Sequence, residues 1–349
     1  MYTYPGNIHI HSIHSDGTAN IAEISREASI AGLSYIIVTD HMTLAGLNEE
    51  SISHGVVVLV GQEVNKRYNH YLVFGTDQII NADDENPQKV IDQGVKAGAL
   101  GFIAHPFEKG SRLIEKGKCY PWVNWPVFGF HGIELWNYTS NWRGLHPSFF
   151  KTLYYFFLNR KGALLKPSQE ILQLWDCYNK NGYRIIGIGG SDAHAFKYNF
   201  GFFKFTIFPY HYIFNMINTY IVLAEKLSSS FPTAKKQIIS AISEGRCYLA
   251  FDGLAKGEDF FFNAYSNREK VMMGGEIKWQ RNLTLSVECP GKMPLLRIIR
   301  NGKVLSEKRT NRLYYPVHEP GIYRVEAYHC PLVGAARPWL YGNPIYVKP

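Results

Sequence analysis

The sequence predicts an α/β chain in two parts: alternating strands and helices over residues 1–250, forming a barrel or open sheet, then a small β-sandwich over 258–349. Three observations lead there. Apolar runs of strand length alternate with helical patterns in the first two hundred residues. Several of those runs end in a metal-ligand type of residue, as functional groups do at the carboxyl ends of parallel barrel strands. Beyond Asp252-Gly253-Leu254 the pattern changes to short β-type runs separated by turn dipeptides.

The elements follow in order. His9-Ile10-His11 opens the chain, and on an extended strand alternate side chains share a face, so both imidazoles can hold one ion. Asp16 adds an oxygen ligand from a Ser-Asp-Gly turn. Asn20 to Gly32 has helical spacing through Ile21, Ile24 and Ala28 and ends on glycine. Tyr35–Thr39 runs into Asp40-His41, Val56–Gly61 into Gln62-Glu63, and Gly101–Ala104 into His105-Pro106. Asn86-Pro87, followed by Val90, Ile91 and Val95, marks a helix with proline in its first turn. Gly132–Asn137 reads as a strand and Pro167–Asn181 as a helix feeding Arg184–Gly189, which runs into Asp192 and His194. A helix over Thr233–Gly245 closes the first part. In the second, strands are expected at Phe260–Tyr265, Leu283–Glu288, Leu295–Arg300, Gly321–Tyr328 and Pro344–Val347, with Asn301-Gly302 as a hairpin turn into Lys303–Leu305.

His-x-His with Ser-Asp-Gly, then Thr39-Asp40-His41, Ala104-His105-Pro106 and Ser191-Asp192-Ala193-His194, resemble in that order the polymerase-and-histidinol-phosphatase (PHP) domain superfamily. The resemblance implies a distorted (β/α)7 barrel with up to three metal ions at its mouth. It implies that His9, His11, Glu63 and Asp192 bind one ion, that Asp16, His41 and His194 bind a second, and that Glu63 bridges to a third completed by His70 and His105. His70 precedes its apolar run, Tyr71–Phe74, instead of ending it. The carboxyl-terminal stretch from Ala336 to Val347, with the appended sandwich, is similar to the CehA/McbA-type metallohydrolases, whose barrel is followed by an immunoglobulin-like module. That group includes carbamate and carboxylic ester hydrolases, whereas phosphoesterases dominate the wider superfamily.

Other polar residues stay outside this ligand set. Asp40 reads equally as a hydrogen-bonding neighbour of the site, a helix cap or a ligand. His14 reads as an exposed turn residue and His54 as a solvated one. Glu134 and Asn137 read either as substrate-facing groups near the metals or as strand-end hydrogen-bonding groups.

Composition narrows the classes. With 46% hydrophobic and 19% charged residues in 349, the chain is an ordinary folded protein. The greasiest stretch, Phe202–Leu223, is interrupted by Lys204, Pro209 and His211, which argues against a membrane span and for aromatics packed between the two parts. Ligands starting at His9 leave no room for a cleavable leader, so a cytoplasmic location is expected. Five scattered cysteines without Cys-x-x-Cys fit reduced, buried thiols. From Glu258 onward there are fourteen basic and eight acidic residues of the chain's +8 balance, but no dense basic run, so nucleic acid is not the favoured partner. Ser12, Ser15 and Ser191 lie in no Gly-x-Ser-x-Gly elbow, which argues against a serine hydrolase.

The expectation is a hydrolase that uses two or three divalent ions, zinc, manganese or iron, and a metal-bound hydroxide as nucleophile. A phosphoesterase acting on a small anionic substrate or nucleotide is favoured, because clustered cations neutralise charge on equatorial phosphoryl oxygens. Carbamate or carboxylic ester hydrolysis is the alternative, and a metal-containing binding protein the second one.

Overall fold

A computed structural model of the chain describes residues 1–110, 117–144, 150–151, 154–159, 162, 166–200 and 203–349. Seven strands wall the first part: β1 (Tyr2–Ile10), β2 (Tyr35–His41), β3 (Val56–Val64), β4 (Tyr71–Phe74), β5 (Leu100–Ile103), β6 (Gly132–Asn137) and β7 (Ile186–Gly190). They are hydrogen-bonded in that order. The ring closes just past β7, where Ile10 pairs in parallel with Ala193; the His11 N–H donates to the Ala193 carbonyl and the Ala193 N–H to that of His9. Strands β1 to β3 run parallel, as do β5 to β7, whereas β4 is antiparallel to both neighbours. That reversed strand is the distortion in the barrel.

The strand runs are apolar on both faces because each face is covered, as a parallel sheet requires. Val56 to Val60 are all buried. Helix α1 (Ile21–Ile30) starts at Asn20, whose side chain and that of Glu23 form a reciprocal capping box, and it buries Ile21, Ile24 and Ala28. Helix α2 (Pro87–Lys96) is capped by Asn86, and α3 (Gln169–Lys180) by Ser168. Helix α4 (Phe231–Ser243) follows the expected pattern two residues early.

Two further strands, β8 (Ile217–Leu223) and β9 (Cys247–Phe251), carry the sheet beyond the barrel. Strand β8 lies antiparallel on the first half of β1, β9 on β8, and the long strand Arg337–Lys348 on β9. One wall of the second core therefore comes from the first part: Tyr220, Val222, Tyr248 and Ala250 pack with Phe262, Leu285, Ile298, Val325 and Trp339. Facing that wall is a four-stranded sheet of Lys270–Met272, Phe261–Tyr265, Thr284–Glu288 and Arg312–Pro316. Asn301 and Gly302 both take positive φ, 52° and 80°, in the two-residue turn between Leu295–Arg300 and Lys303–Arg309.

Two expectations change. Of the stretch Phe202–Leu223, Phe208, Tyr210 and Phe214 enter the barrel core, and Tyr220 and Val222 reach the second core; residue 202 lies outside the described residues. All five cysteines are free, but only Cys247 and Cys289 are buried, while Cys177 is exposed. Among the described residues no helix is long and apolar enough to cross a membrane.

Candidate metal centre

The strand ends bring the sequence-distant ligand types to one mouth. Plain alternation is not what delivers the first pair. Strand β1 is bulged between Ile8 and Ile10, with His9 at φ 69°, and His11 lies just past the strand. His41 ends β2 and stands in register with Glu63 on β3. His105 follows β5, Asp192 and His194 follow β7, and Asp16 sits in the turn after β1. His70 arrives by the reversal of β4: an antiparallel strand begins where its neighbours end, so a histidine before the apolar run reaches the same mouth.

Glu63 is the hub. Its Oε2 lies 3.1 Å from His9 Nε2, 3.2 Å from His11 Nε2 and 3.2 Å from His41 Nδ1. Its Oε1 lies 2.6 Å from His70 Nδ1 and 3.3 Å from His105 Nε2. Asp192 Oδ1 is 3.4 Å from His9 Nε2 and 3.3 Å from His11 Nε2. Asp16 is 3.1 Å from His194 Nε2 and 3.7 Å from both His11 Nδ1 and His41 Nε2. Three groups of ligand atoms result, each within 4.8 Å: His9, His11, Glu63 and Asp192; His11, Asp16, His41 and His194; Glu63, His70 and His105. All nine candidate residues are thus brought together, with His11 and Glu63 each shared by two groups.

Apart from Asp16, which is exposed, and His41, which is partly so, the site is deeply buried yet incompletely hydrogen-bonded. His9 Nε2, both ring nitrogens of His11, Glu63 Oε2, His70 Nε2 and His105 Nδ1 are buried without a hydrogen-bond partner. Buried polar atoms are rarely left so, and an in-plane lone pair with no donor aimed at it suits a cation. Burial disfavours a charged ring at His11, but Asp192 and Glu63 outweigh it and lift its pKa to about 9. His105 is likewise lifted to about 9 against its burial, by Glu63 and Glu108. Burial would raise the carboxylates, yet the histidines hold Glu63, Asp192 and Asp16 below their ordinary range. Burial dominates at His41, depressing it to about 4.

Outer partners fix the candidate ligands. Glu134 faces His9 Nδ1 at 3.1 Å and accepts from the His105 N–H and from Asn137 Nδ2. Gly190 permits that approach, since a Cβ there would lie 1.9 Å from Glu134 Oε1. Glu134 and Asn137 are therefore hydrogen-bonding groups behind the ligands. Asp40 accepts from the Ser12 N–H, the Ser12 hydroxyl and the Ser15 hydroxyl, organising the turn that carries Asp16. His14 is half-buried, correcting its reading as exposed, because Glu49 holds its Nε2 at 2.6 Å. His54 lies exposed at a turn beside Ser25 and Ser53, away from the three groups.

A pocket of about 310 Å³ opens over the cluster, lined by Asp16, His41, Glu63, His70, Asp192 and His194, and also by Lys66, Tyr120 and Arg143. Sequence reasoning missed these last three and Glu108. Glu108 lies three residues past His105, with Oε2 3.5 Å from His105 Nδ1 and Oε1 3.1 Å from Arg143 Nη1. That spacing, on a turn after a ligand, was its one signal. Arg143 belongs to the short helix Tyr138–Gly144 that follows β6, and nothing in the local sequence marks it.

No family model matches the chain, and no curated protein matches it. Among solved structures it is similar to a two-domain protein from Bacteroides vulgatus containing a predicted PHP-like metal-dependent phosphoesterase: 15% identity, TM-score 0.46, covering 98% of this chain and 95% of that one. It is also similar to a protein from Bifidobacterium adolescentis proposed to be a metal-dependent phosphoesterase, at 17% identity, TM-score 0.32 and coverage of 54% and 87%. An amidohydrolase from Chromobacterium violaceum, with bound sulfate and no metal, matches at 17% identity, TM-score 0.31 and the same coverage.

Proposed function

We propose that this chain is a metal-dependent hydrolase of the PHP type that cleaves phosphoesters of small anionic substrates. One observation carries the reading: three ligand groups share Glu63 and His11 and leave buried ring nitrogens without hydrogen bonds beneath an open pocket. His9, His11, Glu63 and Asp192 would hold one divalent ion, Asp16, His41 and His194 a second, and Glu63, His70 and His105 a third. Such ions supply Lewis acidity and lower the pKa of water into the neutral range.

The chain's own residues do the rest. Glu134 and Glu108 face ring nitrogens of His9 and His105 and hold those imidazoles in one orientation. Asp40 fixes the turn bearing Asp16. Lys66 and Arg143 at the pocket wall attract and orient an anionic group. Their positive charge beside clustered ligands favours phosphate over a neutral carboxylic or carbamate ester. Tyr120 stacks beneath the Arg143 guanidinium at 5.7 Å and limits its freedom.

The test is a panel of aryl phosphate monoesters, diesters and carboxylic esters assayed with zinc or manganese, using the native chain, His9→Ala and Asp192→Ala. Phosphate-ester turnover that disappears in both variants is the expected result. Equal rates in all three proteins would remove the metal mechanism, and turnover of carboxylic esters alone would replace the phosphoesterase reading.

A further inference from the structure

We infer that Asp252, at the seam between barrel and sandwich, is a positioning residue for the metal centre, acting through a buried hydrogen-bond chain of Asn218, Asn7 and Ser191. The inference rests on the metal-centre reading above.

The chain is continuous and runs one way. The Ser191 hydroxyl donates to Asn7 Oδ1 at 2.5 Å, Asn7 Nδ2 to Asn218 Oδ1 at 2.8 Å, and Asn218 Nδ2 to Asp252 Oδ2 at 2.9 Å. Asn7, Ser191 and Asn218 are fully buried, and so is the Asp252 side chain. An ionised carboxylate only accepts. Placed at the end of the row, it sets the sense of both amides together with the Ile217 and Phe214 carbonyls, which accept from Asn7 Nδ2 and Asn218 Nδ2: each presents nitrogen toward Asp252 and oxygen toward Ser191. Aligned donors polarise one another, which strengthens the row in a low-dielectric interior. The carboxylate is itself anchored by the Tyr220 hydroxyl at 2.9 and 2.8 Å, the Gly257 N–H at 3.0 Å and the Lys256 ammonium at 3.7 Å.

The far end of the row lies at the barrel closure. The Ser191 N–H donates to the Ile8 carbonyl, and its hydroxyl also lies 3.4 Å from the His9 carbonyl. Asp192, the next residue, has φ 52°, and His9 opposite has φ 69°. Left-handed non-glycine residues persist only where their surroundings over-determine them. Two ligands of one group are thus held in costly backbone shapes, and the segment joining them is pinned by a hydroxyl whose partners lead to Asp252. Asp252 follows β9, the strand shared with the sandwich, and the Tyr248 hydroxyl holds its loop by the Gly257 carbonyl at 2.6 Å. The seam beside the sandwich is therefore linked to the candidate ligands without touching them.

Cobalt(II) binding to the full-length chain tests this, read by visible absorption and by competition titration. Asp252→Asn takes the charge and one acceptor oxygen from the end of the row, although its amide oxygen can still accept from Asn218, and Ser191→Ala cuts the row at the ligand end. Tyr220→Phe removes a hydrogen bond from the same carboxylate but leaves the row intact. Expected are altered absorption bands and about tenfold weaker binding of the tightest cobalt in the first two, in the range seen when outer partners of metal ligands are lost. Tyr220→Phe should lose thermal stability yet keep the native spectrum and affinity. Native spectra and affinities in both Asp252→Asn and Ser191→Ala would overturn the inference, as would a Tyr220→Phe protein changed in the same way as they are. If Asp252→Asn does not fold, Ser191→Ala decides alone. A native chain that takes up no cobalt would instead overturn the metal-centre reading, and this inference with it.

Discussion

Two buried clusters of charge in this molecule differ in how they are satisfied. Between α3 and the sandwich, Arg324 Nε and Nη2 donate to the two oxygens of Asp176 at 2.7 and 2.8 Å, and Nη1 donates to Glu326 Oε1 at 2.7 Å. The Tyr328 hydroxyl takes the other Glu326 oxygen, and the Trp175 ring lies under the guanidinium. At the barrel mouth, Glu63, His9, His11 and His70 are as buried, with Asp16 and His41 more open, but ring nitrogens of His9, His11 and His70 make no hydrogen bond. The first cluster is closed on itself and joins two layers. The second leaves buried ring nitrogens without hydrogen bonds, which suits the proposed metal centre better than a structural ion pair.

The largest effect expected from this contrast is at Glu63. It touches five histidines, so Glu63→Gln should reduce turnover by more than about a hundredfold, beyond what loss of an outer partner costs. Steady-state rates measured with saturating zinc or manganese check this. A ligand-dependent centre should also couple metal to stability: with free metal a thousandfold above its Kd, binding adds about 4 kcal/mol. Thermal melts with and without a chelator should separate by several degrees in the native chain and much less in Asp192→Ala. Coincident melts would contradict the contrast.

At the closed cluster the prediction is reversed. Asp176→Ala leaves a buried guanidinium with one carboxylate, and loss of a partner from a buried pair costs about 3 kcal/mol. Denaturant melts should show that loss, while metal affinity and turnover per folded molecule stay at the native level. A change in metal affinity would mean that the two clusters are coupled.

Much of the mouth was legible in the sequence because barrel strands deliver their carboxyl ends to one place, so a strand run followed by His41, Glu63, His105 or Asp192 carries its location with it. His70 was harder, because the reversal of β4 is a long-range pairing that no local pattern encodes. The His9 bulge was hidden for a related reason: His-x-His alternation and a bulged strand end give the same residue string. In the sandwich, strands with a clear apolar face, such as Leu295–Arg300, were readable, whereas the three-residue strand Lys270–Met272 offers too few alternations. Arg143 and Lys66 come from loops and a short helix, where position is set by the surrounding fold. The Asn7–Asn218–Asp252 row joins residues more than two hundred positions apart, and isolated asparagines give no sign of such pairing.

The smallest expected effect falls on the residue that shares both characters. Glu108 is buried like the Arg324 cluster and ion-paired to Arg143, yet Oε1 makes no hydrogen bond of good geometry there, and Oε2 faces His105 Nδ1 while accepting from the Tyr120 N–H. Glu108→Gln keeps the shape and can still accept from Tyr120, so stability should fall by about 1 kcal/mol, the worth of one ordinary hydrogen bond. Loss of the negative charge removes the anion that fixes the His105 ring and releases Arg143 from its counter-charge. Turnover should therefore drop about tenfold, as for an outer partner of a metal ligand, with most of the loss in kcat if His105 is the route and most of it in KM if Arg143 is. An unchanged rate with a loss of about 3 kcal/mol would move Glu108 into the class of closed structural pairs and take it out of the functional cluster.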